Sequence, residues 1–187
     1  MKTILILFIS ILIMSCNAQQ NENKDTKKDQ RYSEESPYKI FTDKGKGYEI
    51  IYPSYWKFED KTNDNHMIRA DIYKDNNVGL QIRWYSISGV FNGFIDSYIQ
   101  SFIQEMQGHW KGSIKEEKRE FKTIAGKEAC WVWIYAEKEN GERWLFKEYL
   151  YKNGTNIIAF QSGVLRIYQD TYEKELDAIA NSMKFLK

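Results

Sequence analysis

Apolar residues fall into three regimes along this chain. Residues 4–14, ILILFISILIM, form a run broken only by Ser10. Residues 17–37 are rich in Asn, Gln, Lys, Asp, Glu and Ser and hold almost nothing to bury. From Tyr38 onward, short β-prone runs alternate with turn signals. YKIFTD (38–43) leads through KGKG into YEIIYP (48–53), followed by MIRADIYK (67–74) and VGLQIRWYS (78–86), which predicts hairpin-linked strands. The period then lengthens. Phe94, Ile95, Tyr98, Ile99, Phe102, Ile103 and Met106 recur every three or four residues within 93–108, which predicts a helix with one apolar stripe, capped by Asn92 and stopped by Gly108. A meander follows: 113–121, 128–137, 142–151 and 155–162, with Asn140-Gly141 and Asn153-Gly154 as hairpin turns. A last helix, started by Asp170 with Glu173, carries Tyr172, Leu176, Ile179 and Met183 on its apolar face. These elements predict an α+β domain, an antiparallel sheet flanked by helices.

The first regime is an address. Lys2 precedes an apolar run shorter than the roughly 20 residues a spanning helix needs, so 1–15 reads as a signal peptide. Residues 13–16, IMSC, resemble the bacterial lipobox, which implies cleavage before Cys16 and fatty chains on its sulfur and new amino terminus, palmitate among them. Several chains anchor where one does not, because each buried methylene contributes about 0.8 kcal/mol. The alternative is an ordinary signal peptide with an incidental cysteine. Asn17 after Cys16 fits sorting to the outer membrane, and the lack of an acidic cluster directly after the cysteine fits the periplasmic face. Residues 16–37 then read as the lipidated cysteine and a solvated tether, and 38–187 as one globular domain.

Composition permits a core and narrows the partners. Apolar residues make up 42% and aromatic residues 16%, enough to offset the entropy of ordering. The 27 Lys and Arg, of which the leader holds only Lys2, face 26 Asp and Glu, so the mature chain has no net field to draw nucleic acid.

GYEIIYPSYWK (47–57), IAGKEACWVWIY (124–135), LYKNGTNIIAFQS (150–162) and ANSMKFL (180–186) resemble the PsbP-like family, named for an extrinsic protein of the oxygen-evolving complex. The resemblance covers most of 38–187 and implies an alpha-beta-alpha sandwich. It also implies an accessory or assembly role, and its motifs supply no catalytic residues.

Catalytic chemistry is sparse on the residues' own evidence. The two histidines, His66 and His109, lack neighbours at metal-ligand spacing, so no metal site is expected. A helix-end His109 fits a dipole interaction. Cys130 alternates with Val132 and Ile134, which predicts a buried, inert thiol. Loop carboxylates within 59–65 are calcium-type ligands without EF-hand spacing. The charged 113–121 strand suits a sheet edge. No phosphate loop, nucleophile elbow or other cofactor motif appears, so neither catalytic residues nor a cofactor are assigned.

If both Asn-Gly pairs sit at the centre of two-residue turns, Trp131, Trp133 and Tyr135 share a sheet face with Phe146, Glu148 and Gln161. That face is then either covered by a helix or an aromatic groove for a peptide, a lipid-like molecule or a glycan. The expectation is a membrane-tethered, non-enzymatic accessory or binding lipoprotein of the bacterial envelope. It would engage a protein partner or small ligand, and no nucleic acid. The alternative is an envelope hydrolase or metal-dependent enzyme whose site assembles only in space.

Overall fold

The computed structural model describes residues 36–62 and 67–186, within a compact unit bounded at Ser36. The signal peptide, Cys16, nearly all of the tether, His66 and the side chain of His109 lie outside the described residues.

The elements run β1 (Tyr38–Asp43), β2 (Tyr48–Pro53), β3 (Lys57–Asp60), β4 (Ile68–Asp75), β5 (Val78–Ser86), α1 (Phe91–Trp110), β6 (Ser113–Ile124), β7 (Lys127–Glu137), β8 (Arg143–Asn153) and β9 (Asn156–Leu165). A one-turn 3-10 helix (Arg166–Tyr168), α2 (Gln169–Asn181) and β10 (Lys184–Phe185) complete the chain. A seven-stranded antiparallel sheet has the order β3-β4-β5-β9-β8-β7-β6, and β1-β2-β10 form a separate small sheet. The α+β class and the antiparallel sheet between helices are as the sequence predicts.

Helix α1 leaves β5 in mid-sheet and delivers the chain to β6 at the far edge, so it crosses one face over β9, β8 and β7. Its Ile95, Ile99 and Phe102 are buried there, each contributing about 1.5–3 kcal/mol by leaving water. The other face lies under α2 and the small sheet, where Leu176, Ile179, Tyr48 and Ile50 meet Phe160, Ile158 and Tyr149 in one core. With both faces covered, β7 and β9 read as nearly continuous apolar runs, CWVWIYA and NIIAF. Strand β6, the charged one, is an edge of the large sheet, as its sequence suggests.

Four local expectations change. Asn92 is not the cap of α1: the helix begins at Phe91, with Val90 extended before it and no side-chain cap bond. Gly108 does not stop it either, and the chain turns at Lys111 in the left-handed region (φ 50°). The extra half-turn puts Trp110 edge-on to Trp144 and Phe146, with centroids 5.9 and 5.2 Å away. Glu173 does not close a capping box on α2, because its carboxylate points at the sheet.

The fourth change concerns register. Neither Asn-Gly pair is the centre of a two-residue turn. In the β7–β8 hairpin Lys138 N donates to Glu142 O, Gly141 N donates to Lys138 O, and Gly141 is left-handed at φ 81°. That is a three-residue loop with a glycine bulge. It pairs Trp131 with Tyr149, Trp133 with Lys147 and Tyr135 with Leu145. The odd residue shifts β7 by one against β8, which moves its side chains to the opposite face of the partner strand. In the β8–β9 turn Asn153 pairs with Asn156 across Gly154-Thr155, a two-residue displacement that leaves faces unchanged.

Candidate functional site

The six residues expected to share a face divide three and three. Trp131, Trp133 and Tyr135 lie on the α2 side. Phe146, Glu148 and Gln161 lie on the α1 side, so they do not form one groove with the indoles.

On the α2 side the centre is Lys147, whose side chain is almost completely buried. Its ammonium binds Asp177 Oδ1 at 2.6 Å and Glu173 Oε1 at 3.1 Å, and stands over the ring of Trp133 at 4.2 Å. Trp133 Nε1 also donates to Glu173 Oε1 at 2.9 Å, and Tyr149 donates its hydroxyl to Asp177 Oδ1 at 2.7 Å. Burial opposes ionisation of Glu173, but bonds from Gln169, Trp133 and Lys147 outweigh it and hold the carboxyl below its ordinary range. Tyr135 closes the row, with the Arg166 guanidinium 4.3 Å from its ring centre. The strand pattern marks Lys147 only as a polar exception. Its partners were visible as two acids four apart, Glu173 and Asp177, beside the apolar stripe of α2.

On the α1 side Phe146 is enclosed by Phe102, Trp110 and Trp144. Glu148 has no exposed surface and accepts the Tyr98 hydroxyl at 2.8 Å. Burial pushes its carboxyl up to about 7, against the lowering effects of Tyr98 and Arg83. Gln161 is its cross-strand partner, yet no hydrogen bond of normal geometry joins them. Beyond Gln161 the polar row continues across β5 and β4: Arg83 Nε donates to Gln81 Oε1, and Gln81 Nε2 to Asp71 Oδ1 at 2.8 Å.

Cys130 is fully buried on the α1 side, and burial pushes its thiol up to about 11. Among the described residues no three His, Cys, Asp or Glu converge as a metal-ligand set, and no helix is long and apolar enough to cross a membrane. A depression of about 350 Å³ beside α1 is lined by Ile99, Ile103, Asp96, Glu116 and Arg119. Arg119 is already tied to both Glu116 and Asp96. The perturbed carboxylate therefore lies under a helix, and the open surface beside that helix carries charges already engaged with one another.

No protein-family model matches the chain, and no curated protein does. Solved structures do. Cyanobacterial PsbP (CyanoP) from Synechocystis sp. PCC 6803 is similar with a TM-score of 0.67 at 13% identity, over 82% of this chain and 95% of that chain. LpqN of Mycobacterium tuberculosis is similar with a TM-score of 0.52 at 12% identity, over 82% and 88%. A variant of protein Mog1 is similar with a TM-score of 0.55 at 6% identity, over 80% and 96%. Likeness at such low identity carries architecture alone: the chain has the PsbP-like fold.

Proposed function

We propose that this chain is a non-enzymatic accessory protein of the bacterial cell envelope, held at the membrane by fatty chains on Cys16. It engages a protein partner or small ligand through its outer surfaces. The observation that carries this reading is the double cover of the central sheet. Lys147, Glu148 and Cys130, the side chains with the most reactive chemistry, are each buried in packing or in ion pairs. Two similar structures support the setting: one is a PsbP protein, and LpqN is described as involved in cell envelope biogenesis. The lipobox supports the anchor, Asn17 supports the outer membrane, and the lack of an acidic cluster directly after Cys16 supports its periplasmic face.

Radiolabelled palmitate tests the anchor. Label is expected in the native chain and absent from Cys16→Ser, and equal labelling rejects it. Density-gradient fractionation of the envelope then tests placement in the outer membrane. A second reading, an envelope hydrolase, has Glu148 in its favour, because a carboxyl poised near 7 suits general acid-base work. It would require α1 to lift. A deletion strain complemented with Glu148→Gln separates the two: full complementation supports the accessory reading, and loss with the fold intact supports the enzyme.

A further inference from the structure

The small sheet turns Phe41, Tyr48, Ile50 and Tyr52 into the core, so alternation turns Tyr38, Ile40 and Thr42 of β1 outward, opposite Pro53, Ile51 and Glu49 of β2. The outward face is apolar where the chain enters it. Tyr38 is 58% exposed and Ile40 62% exposed, and Ile40 lies directly across from half-buried Ile51. Its charges are few. Lys44 lies in the β1–β2 turn and Lys184 beside Glu49 at the edge, whereas Lys39 alternates to the core side with Phe41 and Lys46 stands 3.5 Å over the ring of Trp84. Asp43 is buried against Arg69, and Glu49 is already paired with Lys184 at 3.3 Å. An exposed Tyr and Ile with Lys44 at the adjoining turn suit the boundary of a bilayer, where Tyr sits at headgroup depth and Lys reaches the phosphates.

We infer that this face of the small sheet rests on the membrane that holds the lipid anchor. The inference depends on the anchored reading above. The position of the sheet in the chain favours this occupant: β1 begins two residues after Ser36, and the segment from Cys16 to Ser36 spans at most roughly 70 Å even fully extended. A surface too small to draw the domain out of solution is then held near lipid at an effective concentration on the order of a millimolar. Docking there leaves α1 and the 3-10 helix before α2 free for a partner.

The test uses the lipidated full chain, purified in detergent and reconstituted into phosphatidylethanolamine–phosphatidylglycerol vesicles. Cys130 is buried, so Thr42→Cys and, on the opposite layer, Ser101→Cys each offer one accessible thiol for an NBD label. The Thr42 site is expected to shift to the blue and to lose emission to nitroxide-labelled lipid, and the Ser101 site to do neither. Tyr38→Ser with Ile40→Ser should abolish the response at Thr42 while the protein still floats with the vesicles. Equal responses at both sites, or none at Thr42 in protein that floats, overturn the inference and leave the anchor standing. Energy transfer between Thr42 labels without quenching by lipid assigns the face to a second copy and also overturns it. A chain that does not float refutes the anchor, and this inference with it.

Discussion

Tyr98 of α1 donates its hydroxyl to Glu148 of β8 at 2.8 Å, beneath a helix and on a carboxylate with no exposed surface. The bond ties the helix layer to the sheet through a group that resists ionisation. Burial, and then the charge of Glu148, also hold the Tyr98 hydroxyl well above its ordinary range. Both members of the pair therefore favour protonated forms at neutral pH and below.

A pH dependence follows. The folded carboxyl of Glu148 titrates near 7, and its ordinary value is 4.5. Between those two values the folded state keeps a proton that the unfolded chain has lost, so stability falls as pH rises through this window. The full effect is about 3 kcal/mol. Urea unfolding at pH 5 and pH 8 should show that loss in the native protein and a much flatter profile in Glu148→Gln. Tyr98→Phe removes a bond that favours the charged form, so it should steepen the loss. Equal slopes in the native protein and Glu148→Gln would remove Glu148 from this role.

Lys147 should behave as one member of a three-group cluster. Its side chain is 2% exposed, whereas those of Glu173 and Asp177 are 24% and 30% exposed. Removing the ammonium leaves carboxylates that water can reach. Removing Asp177 leaves a buried charge with one partner and strips the Tyr149 hydroxyl of its acceptor. Lys147→Met should therefore cost about 2 kcal/mol and Asp177→Leu about 3–4 kcal/mol. The double variant should cost less than their sum. Chemical denaturation of the three variants measures this, and strict additivity would contradict a coupled cluster.

The residues also show what the sequence carried and what it did not. Strand positions were legible because alternation and turn residues are local, as in VGLQIRWYS, which is β5 residue for residue. The edge position of β6 was legible from its charges. Register was not, because it depended on whether the loop at Asn140-Gly141 held two residues or three, and one residue reassigns every side chain of β7. The Lys147 cluster was hidden for a different reason: Asp177 lies 30 residues away and meets the lysine only when α2 docks. The small sheet was missed because β10 is two residues long and its partner β2 is distant in sequence.

Cys130 should be silent in the folded protein. Its thiol is buried and held near 11, so the thiolate that reacts with alkylating agents is scarce at pH 8 and shielded where present. Iodoacetamide at pH 8 should leave Cys130 unmodified in native protein and modify it fully in guanidinium, as read by mass spectrometry. Rapid modification under native conditions would mean that the α1 side opens far more often than its packing implies.

Two glycines near the end of α1 should respond to alanine with opposite sign. Gly108 lies inside the helix, and a β-carbon there would meet nothing within 4 Å. Gly108→Ala should stabilise the protein by about 0.5–1 kcal/mol, because alanine loses less backbone freedom on folding. Gly112 lies where the chain leaves the helix and passes the end of β7. A β-carbon there would stand 1.9 Å from the Glu137 carbonyl oxygen and 2.9 Å from Lys138 Cα. Neither backbone atom can rotate away as a side chain could, so either β6 separates from the end of β7 or the last turn of α1 unwinds, taking Trp110 off Trp144 and Phe146. Gly112→Ala should cost about 3 kcal/mol or more. Thermal unfolding should therefore place Gly108→Ala above and Gly112→Ala well below the native protein; a neutral Gly112→Ala would show that the crossing has room the structure does not give it.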